Sequence, residues 1–75
     1  MNKQIERKIG NNIRLIRESR GMMQDILAAK LQLSGCDITR SAVAKIEVGQ
    51  RHIYPDEMFL IRQILNTIFE AIFKI

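Results

Sequence analysis

The sequence predicts an all-α fold, and three observations carry the prediction. Ile5, Ile9, Ile13 and Ile16 recur at steps of four, four and three, which is the spacing of one helical stripe. Residues 22–51 read as two short helices separated by a tight polar connection. On the second of these, Arg40, Ser41, Ala44 and Lys45 cluster on one arc, while Val43 and Ile46 point the opposite way, at about 100° per residue. Pro55, followed by Asp56 and Glu57, is a helix start. Proline lacks an N–H that the first turn leaves unbonded anyway, and carboxylates favour the positive end of the helix dipole.

Taken in order, the first helix covers residues 3–19, capped by Asn2 and ended by Gly21. Gly10 inside it costs about 1 kcal/mol against alanine, so a close backbone approach is expected there. The second helix runs over roughly 23–32 and buries Ile26, Leu27 and Leu31; a continuation to Leu33 would stop at Gly35. Asp37 and Thr39 restart the chain, with Thr39 as the natural N-cap of a third helix over about 40–48 that ends at Gly49. The fourth helix opens at Pro55 and buries some combination of Phe59, Ile61, Ile64 and Leu65. Thr67-Ile68-Phe69-Glu70 reads as a capping box that opens a short last helix.

A chain of 75 residues makes one small domain, 1–75, and its apolar share of 47 % suffices for a helical core. Its one cysteine, Cys36, allows no internal disulfide, which fits a reducing cytoplasm and leaves the core to hold the fold. The start, from Met1 to Lys8, is polar and carries no secretory signal; no run of about 18 apolar residues predicts a membrane span. The net charge of +4 is unevenly placed. Residues 1–20 hold six Lys/Arg against two acids, whereas residues 53–75 hold two against three. That asymmetry suits a polyanion on one side, and equally an ordinary solvated helix face. Catalysis finds no support. One His and one Cys in different loops make no metal cluster, and neither a Gly-rich phosphate loop nor a nucleophile elbow is present, so no enzyme activity, metal or cofactor is expected.

Four pieces of the chain resemble the Cro/phage-repressor (Xre-like) helix-turn-helix family over residues 9–65. They are Ile9-Gly10-x-x-Ile13-Arg14-x-x-Arg17; Gly21-x-x-Gln24-Asp25-x-Leu27-Ala28; Ile38-Thr39-Arg40-Ser41-x-Val43-Ala44-Lys45-Ile46-Glu47-x-Gly49-x-Arg51; and Leu60-x-x-x-x-Leu65. Each piece alone is weak, and their order and spacing together are specific. The resemblance implies a compact bundle of about five short helices, a lambda-repressor-like DNA-binding domain whose second and third helices form the helix-turn-helix with the third in the major groove. It implies sequence-specific binding of double-stranded DNA by a small transcriptional regulator, most simply a repressor. It further implies a partly buried ion pair between Arg17 and Glu47.

Two departures from the family pattern stand out. Met23 occupies the place of a capping Ser or Thr and accepts no hydrogen bond, a loss of about 1 kcal/mol that Asp25 offsets in part through the dipole. The connection before the third helix is also longer, by about the stretch Gln32-Leu33-Ser34-Gly35-Cys36.

Candidate DNA-binding residues follow from the chemistry of base edges and phosphates. Arg40, in the first turn of the third helix, suits bidentate pairing with guanine, with a phosphate contact as the near-equal alternative. Ser41 suits a base or a phosphate, Lys45 a guanine or a backbone oxygen, and Ala44 a thymine methyl or simple close approach. Gln24 keeps the family position from which an amide donates to a phosphate, Thr39 combines capping with such a contact, and Arg51 follows in a loop that the family lays along the backbone. Gln50 and His52 share that loop, His52 as an exposed loop residue.

Ile68, Phe69, Ile72, Phe73 and Ile75 crowd five large apolar side chains into eight residues. Projection puts Ile68, Ile72 and Ile75 on one arc and Phe69 and Phe73 on the adjoining one. A domain this small buries one such stripe and leaves the other as an interface, which predicts a homodimer through the C-terminal helix and a near-palindromic operator. The competing reading, from a different class, is an antitoxin or phage-type regulatory module whose main partner is a protein. A third is the DNA-binding piece of a longer regulator.

Overall fold

Residues 2–75 are described here by a computed structural model, in which most helices begin and end on local chemistry the chain supplies. The elements are α1 (Lys3–Ser19), α2 (Gln24–Leu33), α3 (Arg40–Glu47), α4 (Pro55–Ile64) and α5 (Phe69–Ile72), with no strand among the described residues. Asn2 caps α1 by accepting the Ile5 N–H at 3.0 Å, and the Thr39 hydroxyl caps α3 by accepting the Ala42 N–H at 3.1 Å. Met23 stands before α2 with no side-chain cap, leaving Asp25 to face the positive end of that helix. Pro55 is the first residue of α4, and Glu57 reaches back to accept the Tyr54 N–H at 3.0 Å.

The four longer helices share one ending. A residue in the left-handed region follows each of them: Gly21, Gly35, Gly49 and Asn66. Two backbone bonds then close each last turn; after α2 they run from Cys36 N–H to Leu31 O at 2.9 Å and from Gly35 N–H to Gln32 O at 3.0 Å. The lengthened connection, residues 34–39, is therefore an ordered helix stop followed by a short extended segment. Gln32 fastens it by donating its amide to Ile38 O at 2.8 Å.

α3 packs against α1 and α2, α2 against α4, and α5 against α1. Ile13, Leu27, Leu31, Ile38, Ile46, Ile61, Leu65 and Ile72, each at most 2 % exposed, fill the space between them. Cys36 is buried among them, and burial, reinforced by Glu57 and Asp56, pushes its thiol up and keeps it protonated. Side chains also bind the helix ends to one another. Arg20 donates to Leu65 O at 2.9 Å and Asn66 O at 3.1 Å beyond α4, and Asn12 donates to Ile72 O at 2.9 Å and Lys74 O at 2.7 Å at the end of α5.

Three local expectations need correction. Ile26 is 45 % exposed, because Leu27, Ala28 and Leu31 take the inward stripe of α2. The combination expected around α4 is met by Ile61 and by Leu65 just after it, while Phe59 is exposed and stacks under the Arg62 guanidinium. No capping box opens the last helix: the Thr67 N–H bonds back to Arg62 O at 3.2 Å, so Thr67 completes the stop of α4 and Ile68 becomes the residue before α5. With α5 only four residues long, the projected stripes do not form. Ile72 alone is fully buried, and Ile68, Phe69, Phe73 and Ile75 stay exposed. Among the described residues, no helix is long and apolar enough to cross a membrane.

Candidate nucleic-acid interface

The outward arc of α3 is built by what its inward arc must bury. Val43, Ile46 and Glu47 are drawn inside, which leaves Arg40, Ser41 and Lys45 exposed and Ala44 half-buried on the other side, joined by Val48 at the helix end. Thr39 stays exposed at the head of this face with its hydroxyl engaged as the cap. The face carries two cations and no exposed carboxylate.

Behind it, α3 is clamped through Glu47, which accepts three hydrogen bonds. The Arg17 guanidinium meets Glu47 in a bidentate pair, Nε to Oε2 at 2.7 Å and Nη2 to Oε1 at 3.1 Å, and its Nη1 donates to Met22 O at 2.6 Å. Both residues are buried, 6 % and 3 % exposed. The bond to Glu47 outweighs desolvation and holds the guanidinium proton more tightly than in water. Gln24 is the third member: its amide nitrogen donates to Glu47 Oε1 at 2.9 Å. The residue expected to reach a phosphate thus also serves as a strut between α2 and α3.

Arg51 is likewise committed inside the protein. Its two terminal nitrogens hold Glu57 at 2.8 and 3.0 Å, and one of them also donates to His52 O at 2.9 Å. This pair ties the segment after α3 to the first turn of α4 and gives Arg51 a structural role. The Arg51 guanidinium beside it, helped by the Tyr54 N–H, holds the Glu57 carboxyl below the usual carboxylate range despite its burial. A lowered native value means that unfolding takes up a proton as the medium turns acid. The pair's contribution is present above the ordinary value near 4.5 and is lost as pH falls through the lower native value. Glu57→Gln is therefore expected to reduce stability at neutral pH and to flatten its decline in acid, as read from denaturant midpoints between neutral pH and pH ~3. An acid limb as steep as the wild type's would assign that decline to other groups.

Next to the α3 face lies an open cleft of about 990 Å³ between the outer side of α1, the end of α3 and the C-terminal residues. Arg7, Lys8 and Arg14 from α1, Lys74 from the C-terminal segment, and Val48 and Gln50 from the residues just after α3 line it. Glu47 borders it, with its carboxylate turned inward onto Arg17 and Gln24. Nothing in the α3 motif pointed to these residues. The signal present was the i, i+4, i+7 spacing of Arg7, Asn11 and Arg14 within the basic first third of the chain. On the opposite side of α1, His52 Nδ1 sits 2.5 Å from Glu6 Oε2, so His52 belongs to a surface contact. Among the described residues, no group of three or more His, Cys, Asp or Glu is placed to hold a metal ion. No family model matches the chain, and comparison with curated proteins and with solved structures gives no match.

Proposed function

We propose that this chain is a small sequence-specific regulator that binds double-stranded DNA by laying α3 in the major groove. In this reading α2 and α3 form a helix-turn-helix of the Cro/phage-repressor kind, and the protein acts in the cytoplasm, most simply as a repressor. The observation that carries the proposal is the exposed Arg40, Ser41 and Lys45 face on a helix clamped from behind by Arg17, Glu47 and Gln24. A reading surface gains specificity when its donors are held in fixed register, and the clamp restrains the helix that carries them. Arg40 suits a guanine edge and Lys45 a guanine or a phosphate, with Ala44 small enough to admit a base edge.

Dimerisation follows from the apolar residues exposed around α5, namely Ile68, Phe69, Phe73 and Ile75. A two-fold pairing through them sets two copies of α3 about 34–36 Å apart, one turn of DNA. Selection of bound duplexes from a random pool tests the whole reading. The expected result is enrichment of inverted half-sites one turn apart. Arg40→Ala should then lose about 1–3 kcal/mol on the selected site and relax preference at one base pair per half-site. A pool with no enrichment would overturn the DNA reading in favour of a regulatory module whose partner is a protein.

A further inference from the structure

We infer that the cleft beside α3 is a second, sequence-independent contact that grips the phosphate backbone of the same duplex. The inference rests on the DNA reading and extends it to residues outside α3. Arg7, Lys8, Arg14 and Lys74 converge on one cleft although they come from opposite ends of the chain. Among the described residues none of the four is in an ion pair, and Arg14 gives one bond to a neutral partner, Asn11, at 3.1 Å. Among the described residues Glu47 is the one acidic side chain lining the cleft, and its carboxylate is spent on Arg17 and Gln24. Four cationic side chains against one engaged acidic side chain leave the local field positive. Gathering such charges in one concavity is unfavourable unless an anion or dissolved salt neutralises them.

The shape points to a polymer. The cleft is far larger than one phosphate group, and Arg7 and Arg14 lie seven residues apart on α1, about 10 Å along its axis. That separation exceeds the width of a single phosphate group, so the two arginines can meet different phosphates of one strand. Continuity with α3 selects duplex DNA over other polyanions: Val48 ends the outward arc of α3 and, with Gln50, also lines the cleft. A strand leaving the α3 face can pass along Gln50 into the cleft without meeting an unpaired acidic side chain. Contacts of this kind set register and affinity and carry no base preference.

The test is the salt dependence of duplex binding, measured on the selected site and on an unrelated duplex. Arg7→Gln, Lys8→Gln and Arg14→Gln combined should make the slope of log K against log salt shallower by about 2.7, at 0.9 for each lost phosphate contact. The variant should weaken both duplexes by the same factor, leaving the ratio between them unchanged. Lys30→Gln removes an exposed charge outside the cleft and should leave the slope in place. All three cleft positions are exposed, so unchanged thermal melting is expected and confirms that the variant is folded. A wild-type slope in the triple variant, or a loss confined to the selected site, overturns the cleft assignment while the DNA reading stands. A wild-type protein that binds anionic vesicles and no duplex overturns both.

Discussion

Glu47→Ala is expected to destabilise the protein by about 3–5 kcal/mol, the cost of leaving a buried arginine without its carboxylate. A domain of this size is stable by about 4–11 kcal/mol, so the substitution takes much of what there is. The loss comes from three directions at once. Arg17, 6 % exposed, keeps only Met22 O as a close partner; Gln24 loses the acceptor that ties α2 to α3; and α3 is released from α1. Glu18, 4.0 Å from the same guanidinium but half exposed, has no such leverage, and Glu18→Ala should change stability by less than about 0.5 kcal/mol. Urea unfolding of the two variants side by side checks the contrast. Removing both charges, as Arg17→Met with Glu47→Leu, should recover part of the loss, because the penalty lies in the orphaned charge. Equal small losses for Glu47→Ala and Glu18→Ala would show that the pair does not hold α3.

Gly10→Ala is expected to be nearly as damaging, at about 3 kcal/mol, the upper end of overpacking losses. In an open helix the same exchange would stabilise by about 1 kcal/mol, since alanine is the better helix former. Here the sign reverses. A Cβ at Gly10 runs into Ile46 O and comes within 3.0 Å of Glu47 O, both backbone atoms at the end of α3. A carbonyl in a packed helix cannot rotate away as a flexible side chain does, so α1 and α3 must part. That separation pulls on the Arg17–Glu47 pair as well. Gln4→Ala, at an exposed position on the same helix, serves as the reference and should shift the midpoint little. A Gly10→Ala protein as stable as the wild type would mean that the α1–α3 contact is loose.

Both predictions draw on features already legible in the chain. A glycine inside a good helical stripe is unexplained by local propensity and points to something outside its own helix. The helix limits were equally readable. Asn2, Thr39 and Pro55 supply starting chemistry, and Gly21, Gly35 and Gly49 supply stopping chemistry, each within a few bonds of its own residue. The last helix was less legible, since Thr67 has two local options. Whether its N–H closes α4 or its hydroxyl opens α5 depends on Asn66 entering the left-handed region, which a non-glycine residue adopts only when its surroundings favour it.

The sequence by itself determined the all-helical class, the order of the helices, the limits of the first three and the start of the fourth, and which residues α3 turns outward. These are set by the 3.6-residue period and by caps, interactions that span a turn or less. Only the tertiary structure decided which polar groups remain free. Gln24 and Arg51 look available along the chain, yet each is taken by a carboxylate 23 and 6 residues away. Arg7, Lys8, Arg14 and Lys74 look like scattered surface charges, yet they meet in one cleft once α5 folds back on α1. Hydrogen bonds and Coulomb forces act over a few ångströms of space whatever the distance along the chain, so a side chain's partner is fixed only when the helices that carry both are packed.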